Sequence, residues 1–292
     1  MKFDSYHPAI NFIFFISILF FSFYFTQPIF VLISYISAFI YSCYIGKIKG
    51  FLLNILLIIF IIVYTLYYSY YNHFGITNLA INIIGNSITL EAICAGLIRA
   101  IHISTACMWF YCMTKIVSSD KVIYLFGKVC PKFSLFIAMI LRTIPQIIER
   151  FNTINMAQAG IGLGIKQGNL FARIRNFFRV LSIVIMWILE SFVDSSSSMK
   201  SRGYSLKERT AFSIYRFDNR DRSVVILMFF CLTTIFMSIA LNQVKMQINP
   251  QIVIHPITRM SYVFYFIYLF FALMPMILQI ISEIKSKYRE IQ

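Results

Sequence analysis

The chain has 292 residues, of which 59% are hydrophobic, and it carries a formal net charge of +15. A chain this apolar is not a water-soluble globular domain, and its 31 Phe and 18 Tyr exceed what a soluble core needs. The positive charge does not indicate nucleic-acid binding, because membrane proteins concentrate Lys and Arg in cytoplasmic segments. The six cysteines form no CxxC pair and the four histidines lack metal-ligand spacing, so we expect no metal site.

Six apolar segments are long enough, or nearly so, to cross a bilayer, which takes about 20 residues. They are residues 9–25, 29–45, 51–71, 92–113, 224–241 and 262–281. The first has neither a basic leading region nor a small-residue cleavage site, so we expect it to be a retained span. The fourth carries Arg99 and His102 one turn apart, and polar residues of this kind face protein or water rather than lipid.

The loop charges predict an orientation. Between Lys115 and Arg222 the chain holds 17 of its 26 Lys and Arg and 7 of its 11 Asp and Glu, a net charge of +10. Such a segment stays on the cytoplasmic side, as does the turn with Lys47 and Lys49. Residues 72–89 contain no Lys or Arg and residues 242–258 contain one, so both loops are predicted to be external. A multi-pass protein with both termini in the cytoplasm satisfies every loop.

The basic segment contains two stretches that are amphipathic at the helical period but too interrupted to span a membrane. The first follows Pro131, contains Pro145, where a kink is expected, and ends in a glycine cluster. Its apolar stripe consists of Phe136, Ile140, Ile144, Ile147, Phe151 and Ile154. The second stripe consists of Phe171, Ile174, Phe178, Leu181, Ile185, Leu189 and Phe192, before a helix end at Gly203.

These patterns predict an all-α membrane protein with about six transmembrane helices and two long amphipathic cytoplasmic helices. Residues 1–114 form an N-terminal transmembrane region of about four spans, and residues 115–222 form the basic cytoplasmic region. Residues 223–292 contribute two further spans and a basic tail. The cluster Gly160, Gly162 and Gly164 follows a helix rather than a strand, so we interpret it as a helix end and not as a phosphate-binding loop.

Two motifs lie in the amphipathic helices. The first helix contains Arg142-x-x-Pro145-x-x-x-Glu149 and then Gly160-Ile161-Gly162, and the second ends in Met199-Lys-Ser201-Arg202-Gly203-Tyr204. From about residue 92 to residue 210, the order and membrane setting of these motifs resemble the transmembrane (T) component of energy-coupling factor (ECF) transporters, the cobalt-transport permease family. That family has two cytoplasmic coupling helices, each ending near an Ala-Arg-Gly-like motif. Ser201-Arg202-Gly203 fits the second motif, whereas Ile161 stands where the first motif has arginine.

The resemblance implies an energy-coupling subunit of an ABC importer for vitamins or for transition-metal ions such as cobalt or nickel, in the plasma membrane of a prokaryote. The implied partners are two ABC-type ATPases, a small membrane-embedded substrate-binding subunit and the lipid bilayer. The ATPases would hydrolyse ATP, so the chain would have no catalytic site and no cofactor. The implied ATPase-docking residues are Gly160, Ile161, Gly162, Ser201, Arg202 and Gly203, and the implied structural residues of the coupling helices are Arg142, Pro145, Glu149 and Asp194. Because Ile161 replaces an arginine, we hypothesise two non-identical ATPases.

Simpler interpretations stay open for several of these residues. Arg202 and Gly203 are also what an ordinary helix end contains, and Arg142 and Glu149 are either a structural pair or partner-facing. The pair Arg99 and His102 serves either helix packing or contact with the substrate-binding subunit. A self-sufficient secondary transporter or channel is the alternative function. An intramembrane enzyme is disfavoured, because no cluster of nucleophiles, carboxylates or metal ligands occurs at membrane depth.

Overall fold

A computed structural model describes residues 3–81, 87–204, 215, 217–248, 252–254 and 256–291. The described residues contain eight α-helices: α1 (Pro8–Tyr24), α2 (Pro28–Tyr71), α3 (Leu90–Ile116), α4 (Ser119–Val129), α5 (Pro131–Gly160), α6 (Leu170–Ser201), α7 (Asn219–Ala240) and α8 (Arg259–Ile291). Two small antiparallel sheets pair β1 (Asn78–Ile81) with β2 (Ser87–Thr89), and β3 (Met246–Gln247) with β4 (Val253–Ile254). The chain is an all-α membrane protein, as predicted. The strands in the two loops were not predicted from the sequence.

Five helices are long and apolar enough to cross a membrane, judged by length and composition. They are α2, α3, α6, α7 and the part Arg259–Ile284 of α8, and the apolar α1 is shorter at 17 residues. All six predicted spans lie on helices, because α2 covers two of them. Helix α6 is also long and apolar enough to span a membrane, although the sequence patterns predicted it to be cytoplasmic. Its position outside the membrane therefore stays a prediction.

The chain divides into two compact units. The first, here called the bundle, comprises Met1–Ser118 and Tyr215–Gln292 and so contains α1, α2, α3, α7 and α8. The second, here called the insert, comprises Ser119–Ile214 and contains α4, α5 and α6.

Within the bundle, α2 turns back on itself at Lys47, whose φ of 47° lies in the left-handed region. The buried Ser42 hydroxyl donates to the Asn54 side-chain oxygen at 2.7 Å, and Asn54 Nδ2 donates to the Phe39 carbonyl at 3.2 Å. Twelve residues of straight helix would separate Ser42 and Asn54 by about 18 Å, so these bonds require an antiparallel helical hairpin. The two predicted spans on either side of the Lys47 turn are the arms of this hairpin.

The bundle core is built largely from aromatic rings. Phe14 of α1 packs against Trp109 of α3 and Phe271 of α8, with ring centroids 5.9 and 5.2 Å apart. Near the α1–α2 turn, buried Gln27 donates to the Tyr265 hydroxyl at 2.6 Å, which gives a polar tie between α2 and α8 inside an apolar environment. The high Phe and Tyr content therefore fills the space between helices as well as their outer surfaces.

The insert contains one helix more than the sequence indicated. The sequence patterns predicted no helix between the fourth span and Pro131, whereas 11 residues there form α4. The Ser134 hydroxyl of α5 donates to the Ile123 carbonyl of α4 at 2.8 Å, and the rings of Phe126 and Phe133 lie 5.6 Å apart. The 11-residue helix is short for a clear periodic signal, which explains why it was missed.

Gly50 makes the α2 hairpin sensitive to a single methyl group. A Cβ atom at Gly50 would lie 2.2 Å from the Ser42 carbonyl oxygen, which is backbone and cannot rotate away. We expect Gly50→Ala to destabilise the protein by about 1–3 kcal/mol, measured as a lower denaturation midpoint in detergent. The control is Gly46→Ala, whose Cβ would meet only the end of the Tyr111 side chain. Equal midpoints for the two variants would contradict the hairpin contact.

Candidate functional site

Helices α5 and α6 pack against each other in antiparallel orientation. The Phe151 ring of α5 lies 6.3 Å from the Phe177 ring of α6, and the Arg150 guanidinium lies 4.9 Å from the Trp187 ring centroid. Earlier in α5, Gln146 lines a groove with Ser191 of α6. Positions thus rise along one helix as they fall along the other, and the two C-terminal ends lie at opposite ends of the pair.

Helix α6 ends in a Schellman motif. The Gly203 amide donates to the Lys200 carbonyl at 3.0 Å and the Tyr204 amide donates to the Met199 carbonyl at 3.1 Å. Gly203 has a φ of 77°, a conformation that glycine adopts without steric cost. Arg202 is the C-cap residue, and its exposed cation lies at the negative end of the helix dipole.

Helix α5 ends in the same motif. The Gly162 amide donates to the Ala159 carbonyl at 3.1 Å, the Leu163 amide donates to the Gln158 carbonyl at 2.9 Å, and Gly162 also has a φ of 77°. The C-cap residue is Ile161, which is 68% exposed. The glycine cluster therefore terminates a helix, as predicted.

The two motifs that were aligned by sequence thus have one local geometry. Gly160 corresponds to Ser201, Ile161 to Arg202 and Gly162 to Gly203, because each trio occupies the last helical, C-cap and following positions. Each helix end presents its C-cap side chain to solvent, and the chemistry presented differs. One end offers a branched apolar group and the other a guanidinium with five donors.

The turn after Ile161 is held by side-chain amides. The Ile165 amide donates to Asn155 Oδ1 at 3.2 Å, the Gly164 amide donates to Gln167 Oε1 at 2.9 Å, and the buried Asn176 donates to the Gly164 carbonyl at 3.1 Å. These bonds pair backbone groups of the loop between α5 and α6 with side-chain amides. The Ile161 end is therefore a fixed corner and not a hinge.

The structure brings three of the predicted site residues together near the other end. Arg142 of α5 and both Asp194 and Arg202 of α6 line a groove of about 420 Å³. The rest of the lining consists of Met139, Thr143, Gln146, Ser191, Phe192, Ser195, Ser198 and Met199. No ion pair joins the three charged side chains in the part of the chain that the structure describes. The groove therefore keeps two cations and one anion available to a partner.

The other predicted residues do not line this groove. Ile161 is 19 residues beyond Arg142, or about 28 Å along α5, and Pro145 lies within the helix without interrupting it. Arg142 and Glu149 are both exposed and form no ion pair among the described residues, so the structural-pair interpretation has no contact to support it.

Sequence reasoning missed the amides that fix the α5–α6 turn. Asn155, Gln167 and Asn176 are spaced irregularly along two helices and a loop, so no motif links them. The only signal was a local excess of amide side chains around the glycine cluster. The resemblance also extends to Thr210, and its residues 205–210 lie outside the described residues.

The left-handed glycines should be required for the shape of both helix ends. We expect Gly203→Ala and Gly162→Ala each to cost about 1 kcal/mol locally, because Cβ clashes with backbone at this φ. Amide hydrogen exchange in the last turn of the affected helix should then accelerate about fivefold. The control is Gly160→Ala, whose Cβ would meet nothing within 4 Å. Faster exchange in the control than in either variant would contradict the motif.

The chain matches no protein-family model. It is similar to the "Uncharacterized protein MG181 homolog" of Mycoplasma pneumoniae, with 30% identity over 96 residues. That match covers 32% of this chain and 22% of the Mycoplasma protein.

Proposed function

We propose that the chain is the transmembrane energy-coupling subunit of an ECF-type ABC importer for vitamins or transition-metal ions. In this proposal α5 and α6 are the two cytoplasmic coupling helices, and about six other helical segments span the plasma membrane of a prokaryote. Two ATPases hydrolyse ATP in the cytoplasm, and a small membrane-embedded subunit binds the substrate. The chain itself has no catalytic role.

The observation that carries the proposal is the matching pair of helix ends. A coupling subunit that serves two ATPases needs two separate docking points on one rigid support. Two long helices of 30 and 32 residues, packed antiparallel and closed by the same Schellman geometry, provide such points. An ordinary helix end explains one Gly at the C′ position. It does not explain why the C-cap residue before that Gly is exposed at the ends of both α5 and α6.

The difference between Ile161 and Arg202 indicates how each end docks. Arg202 can insert into a groove lined by carboxylates or carbonyl oxygens, where a desolvated guanidinium contributes about 2 kcal/mol or more. Ile161 can bury only apolar surface, so its partner needs an apolar recess. Two non-identical ATPases fit this difference. When ATP closes the ATPase dimer, the docking grooves move and displace the two helix ends.

The alternative is a self-sufficient secondary transporter or channel. The apolar length of α6 favours this alternative, because α6 is long and apolar enough to cross a membrane. A membrane-crossing α6 would place Ile161 and Arg202 on opposite sides of the bilayer. In that arrangement the two ends could not serve a pair of cytoplasmic ATPases.

Side-specific labelling distinguishes the two arrangements. Lys166 precedes α6, Lys200 lies in its last turn, and both are exposed. We therefore replace each by Cys in a background where exposed Cys107 and Cys130 are Ser. We expect a membrane-impermeant maleimide to label both positions in inside-out vesicles and neither in intact cells. Labelling of one position from each side would show that α6 crosses the membrane and would overturn the proposal.

Charge reversal at Arg202 tests the docking role directly. We expect Arg202→Glu to weaken the affinity for one co-purifying ATPase about 30-fold, since about 2 kcal/mol is lost and the new carboxylate is repelled by an acidic groove. The measurement is the yield of each ATPase in a pull-down of the tagged chain under increasing salt. The control is Arg175→Glu, an exposed arginine near the start of α6.

The same pull-down tests the inferred asymmetry. Ile161→Arg should leave the ATPase that docks at Arg202 unaffected and change only the yield of the other one. A single ATPase species in both positions would overturn the hypothesis of non-identical partners. An Arg202→Glu complex with wild-type ATPase yield and transport would overturn the docking role.

A further inference from the structure

A large polar cavity lies at one end of the bundle. Its volume is about 810 Å³, and its lining comes from α1, α2, α3 and the loops that follow α1, α2 and α7. The polar lining residues are Thr26, Tyr68, Asn72, Arg99, His102 and Gln247. The Met246 amide donates to the Thr26 hydroxyl at 2.9 Å, so the loop after α7 is held against the α1–α2 turn and forms a wall of the cavity.

The cavity carries an uncompensated positive charge. The Arg99 guanidinium lies 4.6 Å from the Tyr68 ring centroid and donates to the Tyr68 hydroxyl, and it has no carboxylate partner among the described residues. Glu91 of the same helix does not line the cavity and accepts a hydrogen bond of 2.6 Å from the Thr77 hydroxyl. The Nε2 atom of His102, one turn beyond Arg99, is buried without a hydrogen-bond partner. Arg99 and His102 therefore both line the cavity, and the Arg99 cation has no carboxylate partner there among the described residues.

An apolar groove continues from this cavity along α3. It has a volume of about 570 Å³, and Phe23 lines both spaces. Its α3 residues run from Ala106 to Thr114, which directly follow the cavity residues Arg99 and His102 on the same helix. The polar and apolar parts are thus arranged in the order of a headgroup and an acyl chain.

The position of the two spaces matches the layers of a bilayer. The cavity lies beside the end of α2, where Tyr64, Tyr67, Tyr68, Tyr70 and Tyr71 concentrate, as aromatic residues do at headgroup depth. The groove begins at Ala106, about 10 Å along α3 from Arg99, and its far end at Thr114 lies beside Lys115 at the opposite end of the helix. The Ala106 end lies within one leaflet of the cavity, since half of the hydrocarbon core is about 15 Å thick. A lipid with its headgroup in the cavity therefore reaches this end of the groove with an acyl chain.

We propose that the cavity and groove bind one anionic phospholipid, with its phosphate at Arg99 and an acyl chain that enters the groove at Ala106 and Cys107. The charge-assisted bond from a guanidinium to a phosphate is among the strong hydrogen bonds. Zwitterionic lipids bind more weakly because the cationic choline beside their phosphate is repelled by Arg99. This inference is independent of the transport function proposed above. The shared chemistry is an anionic phosphate, and its source is either a membrane lipid or a soluble ion.

Native mass spectrometry of the full chain released from detergent tests this site. The probes are phosphatidylglycerol, phosphatidylcholine and inorganic phosphate, each titrated against the wild-type protein. We expect one tightly bound phosphatidylglycerol, with phosphatidylcholine at least tenfold weaker. Arg99→Gln should weaken phosphatidylglycerol at least tenfold. The matched control is Lys115→Gln, because Lys115 is also an exposed α3 cation over a tyrosine ring but lies outside the cavity.

A second variant blocks the acyl chain without changing the charge. Cys107 is exposed and lines the groove, so Cys107→Trp should weaken phosphatidylglycerol while leaving any binding of inorganic phosphate unchanged. Phosphate binding that depends on Arg99 but not on Cys107, together with no preference for phosphatidylglycerol, would overturn the lipid and indicate a soluble anion. Equal binding of both lipids, or equal binding by wild type and Arg99→Gln, would overturn the site altogether.

Discussion

The constraint on which this structure depends is that backbone polar groups inside a bilayer have no water to bind. Every amide and carbonyl at membrane depth must be paired within the chain, which leaves helices as the economical solution. The consequence is visible at the points where a helix stops or turns. Near Lys47, the buried Asn54 side chain donates to the Phe39 carbonyl and accepts from the Ser42 hydroxyl. Polar groups beside the turn are therefore paired within the chain.

Much of the fold could be predicted from apolar length and charge placement. All six predicted spans lie on helices, and the Lys47 turn separates two of them as the basic residues indicated. The sequence did not determine whether α6 crosses the membrane. The same residues form both its apolar stripe and an apolar stretch that is long enough to span a bilayer. A stripe on one face indicates an interface helix, whereas length and composition indicate a span. Short elements such as α4 and the paired strands were not predicted, because they contain too few residues to show a periodic pattern of apolar side chains.

The candidate site was predictable in its motifs and not in its geometry. Gly162 and Gly203 follow from their place after long helices, and the equivalence of Ile161 and Arg202 followed from aligning the motifs. The groove that joins Arg142, Asp194 and Arg202 depends on antiparallel packing, which no spacing rule gives. The cavity around Arg99 was similarly hidden, since its lining comes from segments up to about 220 residues apart. Residues close in space but distant in sequence leave no local pattern.

The packing of α1 against α8 has a consequence for how the chain is made. Ser42 and Asn54 are 12 residues apart, so the α2 hairpin can form as soon as it emerges from the ribosome. Gln27 and Tyr265 are 238 residues apart, and Phe14 and its partner Phe271 are separated by a longer stretch of sequence. Until α8 is synthesised, the buried face of α1 and the amide of Gln27 are open to lipid and to other proteins. Biogenesis therefore has an early, self-contained step and a late closing step, and the interval between them is when a membrane chaperone or protease has access.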